Sequence, residues 1–217
     1  MKYILMDLDG TISNPMLGIT RSVQYALKSF GIEEPNLEKL CSYIGPPLRV
    51  SFQEFHSLSP EEAEEALAKY RERYSVTGLF ENEVYDGMEE LLVKLKNAGK
   101  ILIVATSKPE VFAKKVMKHF NLDQYFTDIC GASLDTSRDT KEAVIRYAME
   151  NNGITDYSEA VMVGDRKHDT EGAKSAGIAS IGVLYGFGSK EELEEAGADR
   201  IAETVEDVYR VITDWEE

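Results

Sequence analysis

Two aspartates two positions apart, Asp7 and Asp9 in the stretch MDLDGT at residues 6–11, follow directly on the apolar run at residues 3–6. Folding alone gives no reason to end a buried strand in paired negative charge. Alternation along a strand sends both side chains to the same side, and Gly10 then provides the turn that aims them into a crevice. A second acidic pair, Asp165 and Asp169, has i, i+4 spacing where the sequence predicts a helix start, so both share one face and can serve one cation. Read singly, each pair has a plainer explanation as an acidic turn or as acidity favoured by a helix dipole. Read together, they make a charge problem: four ionised carboxylates in one crevice would carry −4. Two like charges ~4 Å apart cost about 4 kcal/mol at an effective dielectric of 20. A divalent cation with oxygen ligands, Mg²⁺, relieves that repulsion, with Lys108 and Lys141 as the candidate cations beside it.

The stretch AlaThrSerLysPro at residues 105–109 ends another apolar run and places the hydroxyls of Thr106 and Ser107 before a predicted helix. Hydroxyls beside the free amides of a helix start make an anion-binding arrangement, although a Ser or Thr there also serves as a plain cap. His168, between Lys167 and Asp169, is assigned no role in an oxygen-rich site.

These residues need strands to bring them together. Apolar runs at residues 3–6, 101–105, 160–163 and 178–183 are continuous rather than alternating, as in a parallel sheet covered on both faces. Helical patterns lie between them, so the fold class is α/β. After Asp86 the sequence predicts a helix with capping-box spacing to Glu89, apolar Met88, Leu91, Leu92 and Leu95, and Gly99 at its end. Further helices are predicted over 109–120, 140–151 and 205–215. Open parallel sheets place their ligand crevice at the carboxyl ends of the strands, where Asp7, Thr106 and Asp165 fall. Residues 15–81 differ: they give helical patterns at 19–30, 36–44, 48–55 and 60–74 and no strand. The predicted organisation is a core of residues 1–14 and 82–217 with a small helical domain, residues 15–81, inserted after the first strand.

Composition narrows the partners. The chain has 217 residues, 43% apolar and 29% charged, and no apolar run of the roughly 18 residues that span a bilayer. A formal net charge of −15 argues against a nucleic-acid polymer, which draws affinity from clustered Lys and Arg. An anionic small molecule remains compatible, given local cations or a metal. The amino terminus lacks the pattern of a signal peptide, and Cys41 and Cys130 form no C-x-x-C pair, so a reducing, cytoplasmic location is expected.

Together these positions resemble the haloacid dehalogenase-like hydrolase superfamily over nearly the whole chain. Asp7-Leu8-Asp9-Gly10-Thr11 matches its first motif, Thr106 its second, Lys141 its third, and Gly164-Asp165 with Asp169 its fourth. The resemblance implies a Rossmann-like core with a helical cap, and Mg²⁺-dependent phosphomonoester hydrolysis. It implies that Asp7 attacks phosphorus to form an aspartyl-phosphate, while Asp9 protonates the leaving oxygen and then activates water. It further implies metal binding by Asp7, Asp165 and Asp169 with the backbone carbonyl of Asp9, and phosphoryl binding by Thr106 and Lys141.

Within the superfamily the chain is similar to phosphoglycolate-phosphatase-like and 5'-nucleotidase-like members, through residues 43–49, 78–83, 105–113 and 164–169. The implied partner is a small phosphorylated metabolite, phosphoglycolate or a nucleoside 5'-monophosphate, acted on by a monomer or homodimer. Arg49, after the rigid Gly45-Pro46-Pro47 turn, can meet a substrate carboxylate or second phosphate, or simply face solvent. Tyr43, Phe52 and Phe55 can stack on a base or form domain core. Pyrophosphatase, phosphomutase or phosphotransferase, and non-catalytic phospholigand-binding readings remain open at this level. Thr11, where mutase-like members tend to carry valine, favours hydrolysis.

Overall fold

The computed structural model describes residues 1–135 and 137–216. The chain forms two compact units, Met1–Asn14 with Val84–Glu217, and Pro15–Glu83. In chain order, β1 (Tyr3–Met6) and β2 (Ser13–Asn14) precede the helical unit, which contains α1 (Met16–Lys28), α2 (Leu48–His56) and α3 (Pro60–Tyr74). β3 (Glu83–Val84) marks the return crossing. There follow α4 (Met88–Asn97), β4 (Ile101–Pro109), α5 (Glu110–His119), β5 (Asp128–Ala132), α6 (Lys141–Asn151) and β6 (Ala160–Gly164). The unit is completed by α7 (Lys167–Ala176), β7 (Ala179–Val183), α8 (Lys190–Ala196), β8 (Arg200–Ala202) and α9 (Val205–Thr213).

Six strands form one parallel sheet in the order β5-β4-β1-β6-β7-β8. The order reverses at β1, which has β4 on one side and β6 on the other, and this is where an open α/β sheet parts to form a crevice. Register makes the crevice specific: Met6 lies opposite both Val104 and Val163, so the residues just after all three emerge at the same edge. The strands are apolar throughout because both faces are covered. Leu5, Ile103 and Met162 pack with Ala148 of α6 and Ala173 of α7 in one buried cluster. Each large side chain buried there contributes about 1.5–3 kcal/mol. Among the described residues no helix is long and apolar enough to cross a membrane.

The helical unit has its own core. Tyr43 and Phe52 are buried and meet edge to face with ring centroids 5.1 Å apart, and Phe55 lies 5.2 Å from Tyr43. Ser59 and Glu62 form a reciprocal capping box at the start of α3, with Pro60 as its first residue.

Several elements depart from the sequence expectation. β5 and β8 are additional strands, and residues 37–43 form a 3₁₀ rather than an α-helix. No capping box starts α4: Gly87, at φ +79°, is its N-cap and the helix begins at Met88. A glycine in the left-handed region turns the chain there more sharply than an Asp86 cap would. β4 continues to Pro109, with a shift in its pairing between Thr106 and Pro109, and α5 starts only at Glu110. Thr106 and Ser107 therefore lie on an irregular strand end, not at a helix start.

Candidate active site

β1 delivers Asp7 to the crevice. Its N–H donates to the Val163 carbonyl at 2.9 Å, which extends the ladder by one residue and fixes the backbone. Oδ1 of Asp7 accepts from the Leu8 N–H at 2.8 Å and lies 3.0 Å from Nζ of Lys141. Lys141 comes from the first turn of α6, a helix capped by the Thr140 side chain, which accepts from the Ala143 N–H at 3.2 Å. Its ammonium also lies 2.6 Å from Asp169 Oδ1 and donates to the Ala105 carbonyl at 3.2 Å. Two carboxylates and a carbonyl thus surround the ammonium, which explains how a lysine is tolerated in the interior. Burial works against its charge, but Asp169 and Asp7 outweigh that and hold its pKa above the ordinary lysine value.

β6 and α7 bring the second acidic pair. Asp165 is fully buried; Oδ2 accepts from the Phe187 N–H at 2.8 Å and Oδ1 from the Thr11 hydroxyl at 3.3 Å. Burial, reinforced by Asp169 and Asp7, pushes its carboxyl well above the usual range. Asp169 Oδ2 accepts from the Arg166 N–H at 3.0 Å, and burial pushes this carboxyl up to about 6 despite Lys141. Packing around these groups is tight. Gly10 has φ +88°, and a Cβ there would sit 2.2 Å from Asp165 Oδ2, so neither its conformation nor its space admits a side chain.

Asp7, Asp165 and Asp169 each offer an oxygen, all within 4.8 Å of one another. Three carboxylates against the single ammonium of Lys141 leave two negative charges when all are ionised. An all-oxygen donor set with that residual charge fits Mg²⁺. Asp9 stands apart from this cluster: its Oδ2 forms an ion pair with Lys108, and its buried Oδ1 has no hydrogen-bond partner among the described residues. Burial raises the Asp9 carboxyl while Lys108 opposes the rise. The Lys108 side chain is only 3% exposed, and its N–H donates to Oγ1 of buried Thr106 at 3.2 Å. Ser107 beside it is half-buried. Arg49 lies in the helical unit, where its guanidinium engages Glu64 of α3, with Nη2 to Oε2 at 3.1 Å. Sequence reasoning missed the Thr11 hydroxyl and the Phe187 amide as partners of Asp165. The signal available was a second glycine-rich turn, Gly186-Phe187-Gly188, just past a buried strand.

The folded Asp169 carboxyl titrates at about 6 against ~3.9 for a free one, so between those values the folded chain binds more protons than the unfolded. Stability of the metal-free protein should therefore fall as pH rises through that window. Adding Mg²⁺ at pH ~7 should restore it, by about 2.7 kcal/mol at a hundredfold excess over Kd. Thermal unfolding in chelator and in Mg²⁺, at pH ~5 and ~7, checks this; identical midpoints in all four conditions would contradict it.

The haloacid dehalogenase-like hydrolase family matches residues 4–183. A 5'-nucleotidase of Pseudomonas aeruginosa is 50% identical over 190 residues, 88% of this chain and 86% of that one. The tyrosine-protein kinase PtkA of Mycobacterium tuberculosis is 36% identical over 195 residues, 89% of this chain and 66% of that one. The crystal structure of a predicted phosphatase from Clostridium acetobutylicum superposes with a TM-score of 0.94 at 47% identity, covering 98% of each chain. A family match over residues 4–183, with a relative 50% identical over 88% of the chain, means that this chain belongs to the haloacid dehalogenase-like hydrolases.

Proposed function

We propose that the protein is a Mg²⁺-dependent phosphomonoester hydrolase acting on a small phosphorylated metabolite through an aspartyl-phosphate on Asp7. The observation that supports this most is the buried Asp7, Asp165 and Asp169 cluster, whose excess negative charge is built to be offset by a divalent cation. Among the described residues, the Leu8 N–H and the Lys141 ammonium both meet Asp7 at Oδ1, which leaves Oδ2 for attack on phosphorus. Splitting the displacement into two steps is covalent catalysis, suited to one of the slowest uncatalysed reactions known.

In the first step an Asp7 oxygen bonds to phosphorus, the ester P–O bond breaks, and Asp9 gives its proton to the departing oxygen. In the second, Asp9 takes a proton from water as that water bonds to phosphorus, and the bond to Asp7 breaks. Burial already favours the protonated Asp9 that the first step requires. Lys108 opposes it, and an arriving phosphoryl group gives that ammonium a second anion to bind. Lys141 and Thr106 serve the phosphoryl oxygens. Asp7, Asp165 and Asp169, with the Asp9 carbonyl, would hold Mg²⁺, which when bound would supply positive charge beside the transferring group.

For the substrate, the 5'-nucleotidase relative supports a nucleoside 5'-monophosphate, and the motif resemblance keeps phosphoglycolate beside it. Tyr43 and Phe52 are committed to the core of the helical unit, so base stacking by either is not part of this reading. A second reading, phosphoryl transfer to a hydroxyl acceptor, is favoured by the kinase-named relative, since the same aspartyl-phosphate can deliver to an alcohol in place of water.

Phosphate release over nucleoside monophosphates, phosphoglycolate, sugar phosphates and pyrophosphate, with and without Mg²⁺, tests both. Mg²⁺-dependent release is the expected result. Borohydride should reduce the trapped acyl phosphate to homoserine at position 7, located by mass spectrometry. Phosphorylated sugar or peptide with matching loss of free phosphate would favour transfer. Ligand binding without turnover on any compound would overturn both.

A further inference from the structure

One loop of the sheet unit has no part in the chemistry above, yet it is packed against Asp165 more closely than side chains allow. After β7 the chain runs Tyr185-Gly186-Phe187-Gly188. A Cβ on Gly186 would lie 2.3 Å from Asp165 Cβ and 2.4 Å from the Gly10 carbonyl oxygen, and one on Gly188 would lie 2.0 Å from the Asp165 carbonyl oxygen. Neither glycine has a positive φ, so it is space and not conformation that demands them. Between them the Phe187 N–H donates to Asp165 Oδ2 at 2.8 Å, a charge-assisted bond when that carboxyl is ionised. The loop is itself tied down. The Tyr185 hydroxyl donates to the Thr11 carbonyl at 3.1 Å, and its ring packs edge to face on Tyr85 with centroids 5.1 Å apart. The Tyr85 N–H in turn donates to the Ile12 carbonyl at 3.2 Å.

We propose that residues 185–188 are a positioning loop for the cation: two glycines and one amide clamp Asp165 in place and thereby set Mg²⁺ affinity. Tyr185 registers the loop on the turn that follows Asp7 and Asp9, so the two halves of the acidic cluster are held at a fixed spacing. This rests on the Mg²⁺ reading of the site and adds residues that supply no ligand of their own. Outer partners of metal ligands have effects of this kind, with changes in them costing about 10- to 100-fold in metal affinity.

Isothermal titration of Mg²⁺ into wild type, Gly186→Ala, Tyr185→Phe and Asp165→Asn tests it, with circular dichroism and thermal unfolding as checks on folding. Wild type should bind, Asp165→Asn should not, and Gly186→Ala should bind about 10- to 100-fold more weakly. Tyr185→Phe, which removes only the hydroxyl, should show a smaller loss. Kinetically, the Mg²⁺ concentration for half-maximal rate should rise in Gly186→Ala and Tyr185→Phe, while KM for the phosphate ester stays put. If wild type binds no Mg²⁺, the metal reading fails and takes the loop's role with it. If wild type binds, Asp165→Asn does not, and a folded Gly186→Ala binds like wild type, the positioning role alone is overturned. Should Gly186→Ala fail to fold, wild-type affinity in Tyr185→Phe overturns it equally.

Discussion

Asp7→Asn should reduce phosphate release by at least about 10⁴-fold, as removal of a covalent nucleophile does in hydrolases that use one. The fold should survive the change. Asparagine keeps the size of aspartate, and its carbonyl oxygen can still accept from the Leu8 N–H and from Lys141. It also removes one of three negative charges from a buried cluster, which relieves repulsion with Asp165 and Asp169. The loss is thus one of chemistry and not of structure, and the borohydride adduct at position 7 should vanish with it. Steady-state kinetics beside a thermal melt separate the two. A well-folded Asp7→Asn protein retaining more than about a hundredth of wild-type turnover would remove the nucleophile from the mechanism.

The second large effect is at Lys141, and here stability and activity should fall together. Lys141→Met keeps the stem, which matters because the lysine packs so closely on α7 that a Cβ on Gly172 would sit 2.7 Å from its Cγ. What disappears is the ammonium held between Asp7 and Asp169, at 3.0 and 2.6 Å. Removing one partner of a buried ion pair costs about 3–5 kcal/mol, because the other charge is left uncompensated. In chelator the variant should therefore melt far below wild type, and Mg²⁺ should narrow the gap by supplying positive charge to the same carboxylates. Turnover should fall about 10²- to 10³-fold even where Mg²⁺ restores the fold, since the proposed mechanism loses a fixed donor to the transferring group. Equal melting of both proteins in chelator would show that Lys141 does not balance the cluster.

Much of this arrangement was legible in the order of residue types. Strands β1, β4, β6 and β7 announce themselves by unbroken apolar runs, and polar residues directly after three of them mark the crevice. β5 was not legible because Asp128-Ile129-Cys130-Gly131-Ala132 holds one strong strand former, and β8 is three residues long, too short for any period. The start of α4 was misread because Asp86 and Glu89 have the right spacing for a cap, while the left-handed Gly87 between them decides the geometry. In the site, Asp7, Asp165 and Asp169 could be grouped by motif. The pairing of Lys108 with Asp9 could not, because no local spacing relates residues 99 positions apart. The same holds for the Phe187 amide on Asp165: a backbone donor leaves no trace in residue identity except the glycines that let it approach.

The placement of β1 bears on how the protein is made. Among the strands of its sheet it comes earliest in the sequence, yet it pairs with β4 and β6, whose residues begin at 101 and 160. Until those are synthesised β1 lacks the strands that saturate its backbone in the sheet, and contacts between such distant stretches form slowly. At about 5–20 residues per second, translation leaves that segment exposed for many seconds, a natural period for chaperone engagement. The proposed phosphoryl site is incomplete throughout, because Asp7 acquires Lys141 and Asp169 only when the second half of the chain has folded around it.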